Sequence, residues 1–274
     1  VAQSFSFNED LFLTGIDVYF SQISTNPSAK VWFNIREMIN GYPSGEILYF
    51  KFINLSDINI PTNVNPYPIT HIDFDYPIYC AAGHEYAFTL GCNATGFKIF
   101  YAKMGNRDLI TNEPVVYQPH PSGVMFVSSN NQTWSPIQDS DIAYTLYRAD
   151  FDTTDKIYYI YFVNEKCNNN ANNFKIMNIS IGNVILENTD ILYEYCITST
   201  EPALFDPANE IWHELNIEEM YDVPTSDTMK LYIRITLSSN DSKVTPIVNT
   251  STLDAFFAKY KTTGSYILIP LNIG

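Results

Sequence analysis

Apolar and polar residues alternate with a period of two through most of this chain, and no other sequence feature constrains the fold as strongly. The segments TGIDVYFSQ (residues 14–22) and AKVWFNIRE (residues 29–37) both follow this pattern. In the second segment, Val31, Phe33 and Ile35 fall on one side of an extended chain. Because successive side chains of a β-strand point to opposite faces, the pattern predicts strands with one face in a core.

Many such segments follow one another, separated by turn-forming residues. The stretch NGYPSG (residues 40–45), for example, predicts a turn between two strands. The composition agrees, because 15% of the residues are aromatic, mainly Tyr and Phe, which favour strands. We therefore predict an all-β protein built of antiparallel, jelly-roll-like β-sandwiches.

The strand series is interrupted near Asp152 and then starts again. We predict two β-sandwich domains, residues 1–151 and residues 152–274. One short helix is predicted near the C-terminus, in STLDAFFAKY (residues 251–260). Ser251 would cap this helix, and Asp254 would lie in its first turn.

The charge balance argues against several classes of partner. The formal net charge is −15, and acidic residues outnumber basic ones in both halves of the chain. Nucleic acid and anionic membrane surfaces are therefore poor partners. No apolar run approaches the ~18 residues of a transmembrane helix, so membrane insertion is not expected. The sequence begins with Val1, and we interpret it as a fragment of a longer polypeptide.

The titratable residues form no recognisable catalytic or metal-binding motif. The four cysteines, Cys80, Cys92, Cys167 and Cys196, include no CxxC pair, so buried free thiols are expected rather than a zinc site. Carboxylate pairs occur at Asp73/Asp75 and Glu218/Glu219, and alternation places the first pair on the solvated face of a strand. We predict no enzymatic activity, no cofactor and no assigned metal site, although Asp- and Asn-rich loops leave calcium open.

Trp32 is the most informative single residue of the sequence. Alternation places Trp32, Asn34 and Arg36 on the outer face of their strand, opposite Val31, Phe33 and Ile35. An exposed Trp is normally covered by something. We predict that these three residues contact a partner protein or a glycan, the alternative being that the second half of the chain covers Trp32.

An ordered series of segments in residues 1–150 resembles a known module. The series comprises VAQSFSF, TGIDVYFS, VWFNIREMINGYPSG, DYPIYCAAGHEYAFTL and GVMFVSSNNQTWSPIQDSDIAYTLYRADF. Together they resemble a β-sandwich module of tail and baseplate structural proteins of tailed bacteriophages, and also jelly-roll-like modules of bacterial surface proteins. Further on, LYIRITLSSNDSKVTPIVNTSTLDAF resembles a second segment of the phage proteins, but Asn249 replaces their usual Asp.

The resemblance implies a virion structural protein of a tailed phage, made in the host cytoplasm. It would form an oligomer with other tail or baseplate proteins. The alternative is a carbohydrate- or host-receptor-binding module of a phage tail or a bacterial surface protein, with a secreted adhesin fragment as a third option.

Trp134 ends a polar tract, Ser128 to Thr133, between two predicted strands. Asn130 and Asn131 tolerate the left-handed backbone of a tight turn. We predict that Trp134 folds over the end of the sandwich as a structural residue and that its indole N–H finds a hydrogen-bond acceptor.

Overall fold

The alternating segments form antiparallel strands in a computed structural model, which describes residues 1–109, 111–116, 123–162, 176–217, 219–222 and 230–258. The chain divides into two compact units, residues 1–150 and residues 151–274. The predicted division lies one residue further along. Within the described residues, the only helical elements are short 3-10 turns at Leu55–Asp57, Pro202–Leu204 and Pro207–Asn209.

The first unit contains thirteen of the strands. They are β1 (Ala2–Ser6), β2 (Leu11–Val18), β3 (Phe20–Gln22), β4 (Val31–Ile39), β5 (Tyr42–Ile53), β6 (Thr70–Cys80), β7 (Glu85–Cys92), β8 (Lys98–Ile99), β9 (Tyr101–Lys103), β10 (Met125–Val127), β11 (Ser135–Ile137), β12 (Ser140–Ile142) and β13 (Tyr144–Arg148). A six-stranded sheet has the order β11-β10-β1-β7-β4-β5, and a three-stranded sheet has the order β13-β2-β6. Two further pairs, β12-β9 and β3-β8, complete the unit.

One apolar core joins the two larger sheets of the first unit. The six-stranded sheet contributes Phe33, Ile35 and Phe88, and the three-stranded sheet contributes Leu13 and Ile16, all of them fully or almost fully buried. The alternation therefore identified the core side of these strands correctly. Along their edges the two sheets are linked by side chains, because the Tyr49 hydroxyl of β5 accepts the backbone N–H of Asp75 in β6 at 3.1 Å.

The hairpin between β4 and β5 forms where the sequence predicted a turn. Asn40 and Gly41 both have a positive φ, at 53° and 77°, and β5 begins at the next residue. A two-residue Asn-Gly loop of this kind matches the right-handed twist of the strands that it connects. The turn is shorter than the predicted stretch 40–45, because Tyr42 to Gly45 already belong to β5.

The described part of the second unit contains the remaining seven strands, β14 (Lys156–Phe162), β15 (Ile176–Val184), β16 (Thr189–Thr198), β17 (His213–Glu214), β18 (Met220–Asp222), β19 (Lys230–Ser239) and β20 (Ile247–Ala258). Its sheets have the orders β14-β19-β16-β17 and β18-β15-β20. Its core draws on both sheets, with Ile233 and Tyr193 from the first and Met177 and Ile179 from the second.

The predicted helix in residues 251–260 is wrong over its described part, because Ser251 to Ala258 extend strand β20. These residues pair with β15, with Asp254 opposite Ser180. Leu253 and Ala255 face the core of the second unit, while Phe256 is 55% exposed. The period of two and the pairing with β15 therefore outweigh the local capping signal. The Ser251 hydroxyl donates to Asn249 Oδ1 at 2.6 Å instead of capping a helix.

Trp134 is buried, at 9% exposure, but not in the predicted place. It lies on the outer face of the six-stranded sheet in a small cluster with Ala2 and Phe126. The strand register explains this position. Phe126 pairs with both Ala2 and Pro136, and Trp134, two residues before Pro136, points to the same face of the sheet as these residues. Asn131 has the expected positive φ of 60°. The predicted indole hydrogen bond is absent, because Trp134 Nε1 is buried without a partner.

We predict that Trp134→Ala destabilises the protein by about 3–5 kcal/mol, because truncating a packed Trp leaves a cavity. Trp134→Phe should cost much less, since it retains the ring contacts and removes a buried N–H that has no acceptor. Urea unfolding of both variants and the wild type measures the difference. Equal destabilisation by the two substitutions would show that ring packing does not explain the role of Trp134.

Candidate functional site

Trp32, Asn34 and Arg36 share the outer face of the six-stranded sheet, as predicted, but two of them are not exposed. Asn34 is 0% exposed and Arg36 is 4% exposed. The prediction that both are exposed is therefore wrong, whereas their contact with a partner protein or a glycan stays a prediction. The physical reason is the position of β4, which lies between β5 and β7 in the sheet, so that neighbouring side chains enclose its outer face as well as its core face.

A buried hydrogen-bond network holds these polar side chains. The Asn34 Oδ1 atom accepts a hydrogen bond from the Thr89 hydroxyl at 2.6 Å and another from Arg36 Nε at 2.8 Å. Arg36 Nη1 donates to the carbonyl of Ser44 at 2.9 Å. The network crosses three adjacent strands, β7, β4 and β5, and fixes the direction of the guanidinium group.

Two groups of this network remain without the partners that burial normally requires. The Nδ2 amide of Asn34 is buried without an acceptor. No carboxylate in the described part of the chain forms an ion pair with Arg36. Burial lowers the pKa of Arg36 from its usual value, with no opposing contribution from a nearby carboxylate. An uncompensated buried cation is costly, so this arrangement marks the region as a candidate site.

Trp32 lies partly buried beside this network, flat against the neighbouring strand. A Cβ atom added to Gly91 would lie 2.3 Å from Trp32 Nε1, so the indole covers the backbone at the one position in β7 that lacks a side chain. Phe52 is the cross-strand partner of Trp32. The rings of Phe50 and Phe52 meet edge to face at 4.9 Å, and Lys30 Nζ lies 5.8 Å from the Phe52 ring centre.

We call Trp32, Phe50 and Phe52 the outer aromatic patch. Phe50 is 43% exposed and Phe52 is 58% exposed, although both are large apolar residues. These two phenylalanines were not predicted as site residues, because alternation assigns no partner strand to Trp32. Their alternation with Tyr49 and Lys51 within EILYFKFINL would have placed them on one face of β5.

A recess with a volume of about 390 Å³ opens beside Arg36. Its lining comes from β4, from the start of β5 and from the tip of the hairpin between β10 and β11, and consists of Arg36, Ser44, Gly45, Asn130, Asn131 and Gln132. Residues 128–133 were predicted only as a connection between two strands. Their placement next to Arg36 depends on the order of strands in the sheet.

The carboxylates Asp73 and Asp75 do not act as a pair. Asp75 binds Lys51 Nζ at 2.7 Å, and this hydrogen bond lowers the pKa of Asp75 from its usual value. Asp73 instead contacts His71 Nε2 at 2.9 Å. The other ring nitrogen of His71 contacts the buried carboxylate of Asp17 at 2.6 Å, and Tyr147 donates its hydroxyl to the same carboxylate at 2.7 Å. The second predicted pair is not described, because Glu218 lies outside the described residues.

The described residues contain no candidate metal site, because no group of three His, Cys, Asp or Glu side chains among them could hold a metal ion. Cys80 is buried, and burial raises the pKa of its thiol to about 12, so it is a poor nucleophile. Cys92 is exposed, contrary to the expectation of buried thiols. Cys167 lies outside the described residues.

Comparisons with protein-family models, with curated proteins and with solved structures find no match to this chain. In the described residues, no helix has the length and apolar character needed to cross a membrane.

We predict that Gly91→Ala displaces the Trp32 indole, because the new methyl group would overlap the ring. Such overpacking should cost about 1–3 kcal/mol of stability. The indole N–H signal of Trp32 in an NMR spectrum should also shift. Gly45→Ala is the matched control, since no atom lies within 4 Å of the added Cβ. An unchanged Trp32 signal and unchanged unfolding would contradict the contact between the indole and Gly91.

We also predict that His71 makes stability depend on pH. Its hydrogen bond to Asp17 is the largest cause that raises the pKa of His71 above the unfolded value of about 6.5. The stabilisation is therefore complete below about pH 6.5 and is lost as the pH rises through the higher folded pKa. Urea midpoints of the wild type and His71→Asn should differ most in the acidic range and converge at alkaline pH. A difference that grows with pH would disprove this assignment.

Proposed function

We propose that this chain is a structural protein of a bacteriophage tail or baseplate that works by assembling with other subunits, copies of itself among them. In this proposal, each unit is a β-sandwich, and the first is the module that the sequence resembles. It acts through protein contacts in the virion and catalyses no reaction.

The positions of the resembling segments support this assignment. TGIDVYFS runs from β2 into β3, VWFNIREMINGYPSG covers β4, its turn and the start of β5, and DYPIYCAAGHEYAFTL runs from the middle of β6 into β7. The long segment that begins at Gly123 contains β10 to β13. The segments are therefore successive pieces of one folded unit, whose two larger sheets contribute residues to one core.

The exposed apolar edge of the six-stranded sheet is the observation that carries the proposal. Strand β5 is twelve residues long and is the last strand of this sheet, so no strand in the described part of the chain pairs with its free side. Phe50 and Phe52 are exposed there, and Ile47 and Tyr42 continue the apolar surface at 45% and 48% exposure. A long apolar edge strand is an aggregation hazard for a protein that remains alone, whereas a virion subunit has neighbours that cover it.

The surroundings of the outer aromatic patch favour assembly over sugar stacking at the same residues. Phe50 and Phe52 meet edge to face, so they form no flat platform. A cationic side chain, that of Lys30, lies over the Phe52 ring. Receptor binding, the alternative function, would require a more polar site elsewhere on the surface.

The proposal predicts that the purified chain self-associates through the edge of β5. The double variant Phe50→Ser/Phe52→Ser should reduce the average mass measured by light scattering towards that of a single chain, because it removes the exposed rings. It should leave the unfolding midpoint nearly unchanged, since exposed side chains contribute little to stability.

Ile60→Ser/Val64→Ser is the matched control for this experiment. These two residues are also exposed, at 41% and 95%, but lie in the connection between β5 and β6. If both double variants weaken the association equally, the association is nonspecific and does not depend on the edge of β5. A wild-type chain that stays monomeric at the highest attainable concentration would contradict the proposal.

A further inference from the structure

We propose that the recess beside Arg36 binds a carboxylate-bearing sugar. This site lies apart from the exposed rings of β5, and the inference does not depend on assembly through that strand. It rests on the unpaired buried cation, on the polar lining of the recess and on the rigid hairpin tip that forms one of its walls.

Arg36 is exceptional among the arginines of this acidic chain. Arg148 pairs with Glu9 at 3.5 Å, and Arg234 forms a two-pronged ion pair with Glu194. Arg36 is almost fully buried, yet no carboxylate approaches it within the described residues, although the chain contains 30 Asp and Glu residues against 15 Lys and Arg. Arg36 lines the recess, so an anion bound there would supply the missing charge.

The guanidinium group is held in place and still has donors to offer. A guanidinium carries five N–H donors. In Arg36, Nε donates to Asn34 Oδ1 and Nη1 donates one of its two hydrogens to the Ser44 carbonyl. Asn34 is fixed in turn by Thr89. The remaining donors share the plane of the guanidinium, which is the geometry that a carboxylate matches with two parallel hydrogen bonds.

The opposite wall of the recess is preorganised by its own hydrogen bonds. The Ser128 hydroxyl accepts the backbone N–H groups of Asn130 and Asn131 at 3.3 and 2.8 Å. Asn130 Oδ1 accepts those of Gln132 and Thr133 at 3.0 and 2.9 Å. These backbone donors are therefore occupied within the tip, and the side-chain amides are the groups that it presents to a ligand.

The lining selects a polar ligand with several hydrogen-bonding groups. Asn131 and Gln132 carry amides with both donors and an acceptor, and Asn130 adds only the donors of its Nδ2 group, because its Oδ1 is occupied within the tip. These groups suit the hydroxyl groups of a sugar. No large apolar side chain among the described residues lines the recess, so an apolar ligand would gain little there. Its volume of about 390 Å³ falls in the range of small-molecule sites, about 300–1,000 Å³. A sugar acid combines the carboxylate that Arg36 lacks with the hydroxyls that the amides fit.

The test is a calorimetric titration of the full chain with D-glucuronate, with D-glucose as the neutral match and with acetate and inorganic phosphate as simple anions. We expect D-glucuronate to bind at least about tenfold more tightly than D-glucose, because of its charge-assisted hydrogen bonds, and more tightly than either simple anion. Equal binding of D-glucose would overturn the role of the carboxylate. Equal binding of acetate or phosphate would overturn sugar recognition, and undetectable binding of D-glucuronate would overturn the whole proposal.

Three variants assign the binding to the recess. Arg36→Met should abolish D-glucuronate binding, and Gln132→Ala, at an exposed position of the tip, should weaken it several-fold. Arg107→Met is the matched control and should bind normally, because Arg107 is an exposed arginine outside the recess. Binding that survives Arg36→Met would overturn the proposal. If Arg36→Met does not fold, the affinity of Gln132→Ala for D-glucuronate tests the site instead. An unchanged affinity in that variant would also overturn the proposal.

Discussion

The burial of β4 on both faces is the constraint on which the first unit depends. Its core face carries Phe33 and Ile35, which join the two larger sheets through a common apolar cluster. Its outer face carries Asn34 and Arg36, which are just as inaccessible but polar. Burying polar side chains is costly unless they form hydrogen bonds, and the network through Thr89 and Ser44 offsets part of this cost while it ties β7 and β5 to the central strand.

The outer face of the six-stranded sheet is consequently divided into regions of different chemistry. At one side, Trp134 and Phe126 cover the small side chain of Ala2 and form a minor apolar cluster. The buried polar network and its recess follow, and the outer aromatic patch lies towards the free edge at β5. The apolar edge and the polar recess are therefore two distinct regions of this outer face.

In the second unit, a partly buried arginine has a counter-charge within the same unit. Arg234 is paired with Glu194, and its guanidinium also lies 4.5 Å from the ring centre of Trp212. Both charge and stacking partner come from the same unit, so nothing further is required of a ligand. Arg36 differs from Arg234 in being buried without a carboxylate partner among the described residues.

The sequence by itself determined the all-β class and the core side of individual strands. The reason is that the alternation of apolar and polar residues can be recognised within each segment alone. It also determined the left-handed residues of tight turns, such as Asn40 and Asn131, through local backbone preference. Only the tertiary structure decided that Asn34 and Arg36 are buried, that Trp134 covers Ala2 and that residues 251–258 continue a strand. Each of these depends on which distant strand lies alongside, and alternation specifies two faces of a strand without specifying what covers either of them.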